Sequence, residues 1–268
     1  MEMWKETPGL LGEIPEVTIP GVTPEIPQLT YYPAQNKISD AAIVIFPGGG
    51  YGGRATEAEG TKYAKFLSGH GYECFVCEYR VYPHLFPIPL LDARRAVRYV
   101  RYHAEEYGIN KDKIIVVGSS AGGSLVSLLA TCKEKFEFEG VDEIDNESPF
   151  PNGQILCYPV VTLENDEITH EGSKRCLLGY DQFYKAKALS PENNVTADTA
   201  KAFIWHTAQD GTVNVINSYI YADALRKKNV PVEMHIFPYG GHGIALAEWE
   251  PYIQIWTEYL LAWLKLEF

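Results

Sequence analysis

From residue 40 onward, short apolar runs alternate with amphipathic stretches, and the alternation predicts strands separated by helices. Ala42-Ile43-Val44-Ile45-Phe46 reads as a buried strand, Glu59 to Gly69 as a helix, and Cys74 to Tyr79 as the next strand. Asp92 to Tyr107 carries Ala93, Ala96, Val97 and Val100 at helical spacing, with Asp92 placed to cap its start and Gly108 to stop it. Ile114-Ile115-Val116-Val117 is wholly apolar and β-branched, the pattern of a central parallel strand covered on both faces. A helix from Ala121 to Cys132 follows it. Gln154 to Tyr158, Ala202 to His206 and Val232 to Phe237 read as further strands, and helices Asn217 to Lys228 and Glu248 to Leu266 follow the last two.

Strand and helix in alternation over most of the chain imply a mostly parallel sheet wrapped on both faces, in a single α/β domain covering residues 1–268. Two segments stand outside the pattern. Residues 1–40 hold Pro8, Pro15, Pro20, Pro24, Pro27 and Pro33, so an irregular arm is expected there, with an edge strand near Ile26 to Tyr32. Residues 162–190 fit neither period and look like an insertion over the C-terminal edge of the sheet, a candidate lid. The charged stretch Lys133 to Glu147 reads as a solvated loop.

Composition narrows the function classes. Acidic residues outnumber basic ones 35 to 23, a formal net charge of −12. Such a surface repels phosphate backbones and anionic lipid, so neither nucleic acid nor a membrane surface is expected as a partner. No run of roughly 18 or more apolar residues is present to span a bilayer. The start Met1-Glu2-Met3-Trp4-Lys5-Glu6 lacks the pattern of a signal peptide, so a cytoplasmic location is expected. The five cysteines are too few, and odd in number, for a disulfide framework. Cys74 and Cys77 form a C-x-x-C, but no second pair completes a zinc site, so they read as buried strand residues and no metal is expected.

Four loops carry the chemistry, each directly after a predicted strand. Gly118-Ser119-Ser120-Ala121-Gly122 is a G-x-S-x-G between a buried strand and a helix, the context in which a sharp turn presents a serine nucleophile. Phe46-Pro47-Gly48-Gly49-Gly50-Tyr51-Gly52-Gly53 exposes consecutive backbone N–H groups suited to an oxyanion. It matches neither the Walker A phosphate loop nor a spaced G-x-G-x-x-G. Asp210 follows the strand ending at His206, and His242 lies in Tyr239-Gly240-Gly241-His242-Gly243 after the strand ending at Phe237. The chain order Ser120, Asp210, His242 is that of a Ser-Asp-His triad on a parallel sheet, each member just past the C-terminal end of its strand.

With these residues, and with Tyr79-Arg80-Val81, Pro87-Ile88-Pro89-Leu90-Leu91-Asp92-Ala93 and Gly123, the chain resembles the α/β-hydrolase esterases of the bacterial acetyl esterase and acetylxylan esterase group, related to hormone-sensitive lipase. The similarity runs from about residue 38 to the C-terminus. It implies a sheet of about eight strands and an esterase without cofactor. By position it makes Ser120 the nucleophile, His242 the base, Asp210 the orienting acid, and Gly49, Gly50 and Ala121 the oxyanion donors. The histidine that opens the H-G-G-G form of the loop is Pro47 here.

The expected reaction is hydrolysis of a short-chain, acetyl-type ester, with a small-molecule ester or an acetylated oligosaccharide as substrate. A serine peptidase or amidase, or a non-catalytic binding module on the same fold, are the alternatives. A homodimer is compatible with the sequence. Tyr51, beside the glycines, is a candidate wall of the acyl pocket, and His84, in a proline-rich loop, is a candidate substrate contact. His206 reads as a structural hydrogen-bonding residue, and Arg94 and Arg95 as ion-paired surface groups.

Overall fold

The computed structural model describes residues 26–136 and 142–268. Most of the proline-rich arm and part of the charged loop lie outside the described residues. In chain order the elements are β1 (Gln28–Tyr32), β2 (Ala42–Phe46), a π-helical turn (Thr56–Thr61) running into α1 (Lys62–Gly69), β3 (Glu73–Glu78), α2 (Ile88–Tyr102), β4 (Ile114–Ser119) and α3 (Ala121–Thr131). After these come β5 (Gly153–Cys157), α4 (Glu171–Leu178), α5 (Ala186–Leu189), β6 (Lys201–Thr207), α6 (Ile216–Lys227), β7 (Val232–Phe237), α7 (Pro251–Gln254) and α8 (Trp256–Glu267).

Among the described residues the sheet has seven strands, in the order β1-β3-β2-β4-β5-β6-β7, against the expectation of about eight. All neighbours are parallel except β1, which pairs antiparallel with β3 at the edge. Alternate residues of β2 face opposite cores: Ala42, Val44 and Phe46 pack on one side, Ile43 and Ile45 on the other. Every residue of β2 and β4 is buried, which is why these strands read as continuous apolar runs rather than as alternation. Cys74 and Cys77 belong to different cores, so the two thiols sit on opposite faces of β3 and cannot share a ligand.

The order of the strands places the site. From β2 the chain moves outward to β3, then returns to lay β4 on the other side of β2. The loops that follow β2 and β4 therefore leave the sheet side by side, at the point where the winding reverses and where open α/β sheets bind ligands. The register pairs Phe46 with Gly118, so the glycine loop and the serine turn begin level with each other.

Helix α2 departs from the sequence reading in an instructive way. It begins at Ile88 instead of Asp92, with Pro89 in its first turn, where a missing N–H costs nothing. Asp92 is thus not a cap. It lies inside the helix, fully buried, and its carboxylate accepts from the backbone N–H of Arg80 at 2.8 Å, from Arg80 Nε at 2.9 Å and from Arg80 Nη2 at 2.6 Å. Arg94 and Arg95 are buried rather than on the surface. Arg94 donates to the Cys132 and Glu134 carbonyls, and Arg95 to Asp142 and Asp145. Truncating one partner of a buried, hydrogen-bonded pair leaves the other charge uncompensated. Asp92→Ala is therefore expected to destabilise the protein by about 3–5 kcal/mol, read as a lower urea midpoint.

Candidate active site

The turn between β4 and α3 holds Ser120 at φ 52°, ψ −117°, a left-handed conformation that lifts the side chain clear of both elements. Only small neighbours allow it: a Cβ at Gly118 would stand 2.2 Å from the Gly122 carbonyl oxygen, and one at Gly122 would stand 2.0 Å from that of Phe46. The serine backbone is tied down on both sides. Its N–H donates to the Cys157 carbonyl at 2.9 Å, and its carbonyl accepts from Val160 N–H at 3.1 Å and Ser124 N–H at 3.0 Å. Ser119, by contrast, points away into the interior, where its hydroxyl meets Tyr63 Oη at 3.0 Å.

His242 Nε2 lies 2.8 Å from Ser120 Oγ, and His242 Nδ1 lies 2.6 Å from Asp210 Oδ2. Three side chains separated by up to 122 positions thus form one hydrogen-bonded line. A carboxylate can only accept, so Nδ1 carries the proton and Nε2 is left to accept from the serine hydroxyl. Asp210 is itself held on every side. Oδ1 accepts from the N–H groups of Thr212 and Val213, each at 2.8 Å, and Oδ2 also accepts from His206 Nε2 at 3.1 Å. Burial alone raises the Asp210 pKa. The hydrogen bonds from His206, His242 and Val213 outweigh it and hold the carboxyl well below its ordinary range. His206 is fully buried and its Nδ1 is satisfied by Ser218 Oγ at 2.8 Å, the structural role expected of it.

The glycine loop passes directly over the serine, for a Cβ at Gly48 would stand 3.1 Å from that of Ser120. Gly49 and Gly50 both have positive φ, 132° and 66°, which turns their N–H groups away from regular pairing. Among the described residues neither N–H has a protein acceptor. Ala121 opens α3, so its N–H has no intrahelical acceptor either.

The BD-FAE family model matches residues 30–225. The chain belongs to the BD-FAE family. Among its relatives is an endo-1,4-beta-xylanase B of Butyrivibrio fibrisolvens, 35% identical over 231 residues, 83% of this chain and 35% of that protein. An acetylxylan esterase of Xylanibacter ruminicola is 31% identical over 235 residues, 85% of this chain and 46% of that protein. The chain therefore spans less than half the length of these two relatives. Among solved structures, an acetyl ester-xyloside bifunctional hydrolase from Caldicellulosiruptor lactoaceticus superposes with a TM-score of 0.89 at 38% identity, covering 99% of this chain and 94% of that one. The sheet and its crossovers are those of an α/β hydrolase.

In this BD-FAE chain, sequence reasoning missed Glu59. It sits in the π-helical turn after the glycine loop, only 4% exposed. Its Oε2 accepts from Gly48 N–H at 2.7 Å, and its Oε1 accepts from Tyr158 Oη–H at 2.8 Å. Tyr158 Oη in turn accepts from Ala245 N–H at 3.0 Å, and its ring stands edge-on to the His242 imidazole with centroids 5.0 Å apart. One carboxylate therefore links the glycine loop to the loop that carries the histidine. Burial pushes the Glu59 carboxyl above its ordinary pKa, while the bonds from Tyr158 and Gly48 pull it down. Its signal in the sequence was an acid in register with Tyr63 and Leu67, on the apolar face of the helix. Glu59→Ala strands two buried donors at about 1–3 kcal/mol each. Unfolding in urea should show a loss of that size, and steady-state kinetics a kcat roughly 10- to 100-fold lower with KM little changed.

Two further sequence candidates make no hydrogen bond to the Ser120, His242 or Asp210 side chains among the described residues. The Tyr51 ring is fully buried, edge-on to Tyr79 with centroids 6.2 Å apart, so it lies in the core beneath the loop rather than on an open pocket wall. His84 is half-buried in the loop ahead of α2, and no contact joins it to Ser120, His242 or Asp210 among the described residues. Residues 162–190 hold α4 and α5 with a 3-10 turn, Tyr180–Lys185, between them, and Leu163, Leu177, Leu178, Ala186 and Leu189 pack into the same core as Val44, Phe46 and Leu125. The Phe86 N–H donates to the Leu177 carbonyl at 2.7 Å.

Proposed function

We propose that this protein is a serine carboxylesterase that removes acetyl groups from xylo-oligosaccharides through an acyl-enzyme. The observation that carries the reading is the 2.8 Å contact between His242 Nε2 and Ser120 Oγ, with Asp210 fixing the far side of the imidazole. The names of the relatives, an acetylxylan esterase and an acetyl ester-xyloside hydrolase, supply the substrate class.

In this reading His242 Nε2 takes the hydroxyl proton as Ser120 Oγ attacks the acetyl carbonyl. The oxyanion that forms is held by the N–H groups of Gly49, Gly50 and Ala121, donors that need no reorganisation as the charge develops. His242 returns the proton to the departing sugar oxygen, leaving acetyl-Ser120. Water, deprotonated by the same nitrogen, adds to the acetyl carbonyl; the intermediate then collapses, His242 gives the proton to Ser120 Oγ, and acetate leaves. Asp210 stays ionised throughout and stabilises the imidazolium. The insertion formed by residues 162–190 acts as a lid over the glycine loop.

The test is a p-nitrophenyl ester series from acetyl to octanoyl, run beside acetate release from acetylated xylo-oligosaccharides. Highest kcat/KM on the acetyl ester, with acetate released from the sugar, is the expected pattern. Cleavage of aminoacyl amides in preference to all esters would mean a peptidase, and an inert protein would mean a binding module.

A further inference from the structure

His170 closes the N-terminal end of α4, beside the glycine loop. Its Nδ1 accepts from Ser173 N–H at 3.2 Å and lies 2.8 Å from Ser173 Oγ. A ring nitrogen that accepts from a backbone N–H carries no proton, so in the neutral imidazole the proton is on Nε2. Among the described residues that Nε2–H has no hydrogen-bond partner.

The ring also has a defined place. Its Cε1 and the Ser173 hydroxyl oxygen each stand 4.0 Å from the point where a side chain on Gly50 would begin. The half-buried imidazole therefore borders the glycine loop at Gly50. Its electrostatic surroundings agree: burial lowers its pKa, the His242 charge lowers it further, and Asp210 acts in the opposite sense. His170 is thereby kept a neutral donor within the field of the catalytic residues.

An acetyl ester bound here has few oxygens to offer. The carbonyl oxygen is met by backbone N–H groups, the bridging oxygen receives its proton from His242, and the acetyl methyl has nothing to accept with. The oxygens left are the hydroxyl and ring oxygens of the alcohol. Resting on the reading above, we propose that His170 is a specificity-determining residue whose Nε2–H donates a hydrogen bond to a hydroxyl or ring oxygen of the sugar that bears the acetyl group.

Two variants and two substrates test this. His170→Asn keeps a short acceptor able to cap α4 but loses the Nε2–H, whereas His170→Ala loses both. Acetylated xylobiose carries the hydroxyls, and p-nitrophenyl acetate does not. His170→Asn should lower kcat/KM on acetylated xylobiose roughly 3- to 10-fold, the worth of one neutral hydrogen bond, chiefly through KM. On p-nitrophenyl acetate it should stay within about 2-fold of the parent. Equal losses on both substrates would make His170 a prop for the site, and no loss on the sugar would make it a bystander; either overturns the proposal. A parent enzyme that cleaves p-nitrophenyl acetate but releases no acetate from acetylated xylobiose overturns the substrate reading first, and this inference with it.

Discussion

Ser120→Ala lowers kcat on p-nitrophenyl acetate by about 10⁴- to 10⁶-fold, with KM and the unfolding transition close to those of the parent. The substitution removes one oxygen, and among the described residues that oxygen has a single protein hydrogen-bond partner, His242 Nε2. Nothing that shapes the turn depends on it. The bonds that fix the serine backbone to Cys157, Val160 and Ser124 run through its N–H and carbonyl, and alanine retains both. The positive φ costs alanine about what it costs serine. Stability therefore stays within about 1 kcal/mol, and a modest gain fits a residue held strained for its chemistry. Steady-state kinetics on protein free of endogenous esterase, with a urea titration beside it, reads both halves. A loss shared between kcat and folding would point to a structural serine.

Asp210→Asn is expected to cost about 10⁴-fold in kcat, through the tautomer of His242. The Thr212 and Val213 N–H groups both point at Oδ1, so an asparagine must keep its carbonyl oxygen there. Its NH2 then takes the place of Oδ2, facing His206 Nε2 and His242 Nδ1. A donor there turns His242 to the form protonated on Nε2, which cannot accept from Ser120. Against His206, whose Nε2–H also faces the Val213 carbonyl, it sets donor against donor. That clash adds about 1–3 kcal/mol of destabilisation. The pH dependence separates the two effects. The Asp210 carboxyl is depressed in the folded state, so its contribution is fully present above the unfolded pKa of about 3.9. It is lost as pH falls through the lower folded value. The stability gap between parent and variant should accordingly narrow on acidification from about pH 5 to pH 3, as urea unfolding at several pH values would show. A constant gap would contradict the assignment.

Much of this site was legible in the sequence because each member follows a strand, and the strands ahead of the glycine loop, Ser120 and Asp210 are buried, whereas β7, ahead of His242, is only half-buried. Ile114 to Val117 announced β4, and the small residues around Ser120 announced the turn, since nothing larger fits between Gly118 and Gly122. What stayed hidden depends on side chains meeting across long separations. Asp92 looked like a cap because aspartate favours that position, yet Arg80 claims its carboxylate and Pro89 opens the helix before it. Arg94 and Arg95 looked like surface groups because arginine is seldom buried, but the carbonyls of Cys132 and Glu134 and the carboxylates of Asp142 and Asp145 meet them. Glu59 and His170 carry no local motif. One is an acid on an apolar helix face and the other a histidine ahead of a short helix, and only the fold brings Gly48 to the first and Gly50 to the second.

The most direct test is to treat the purified protein with a fluorophosphonate, then weigh it intact and map the labelled peptide. The account predicts one adduct per chain, on Ser120, abolished in both Ser120→Ala and His242→Ala. An unmodified protein, or an adduct on any other residue, would contradict it.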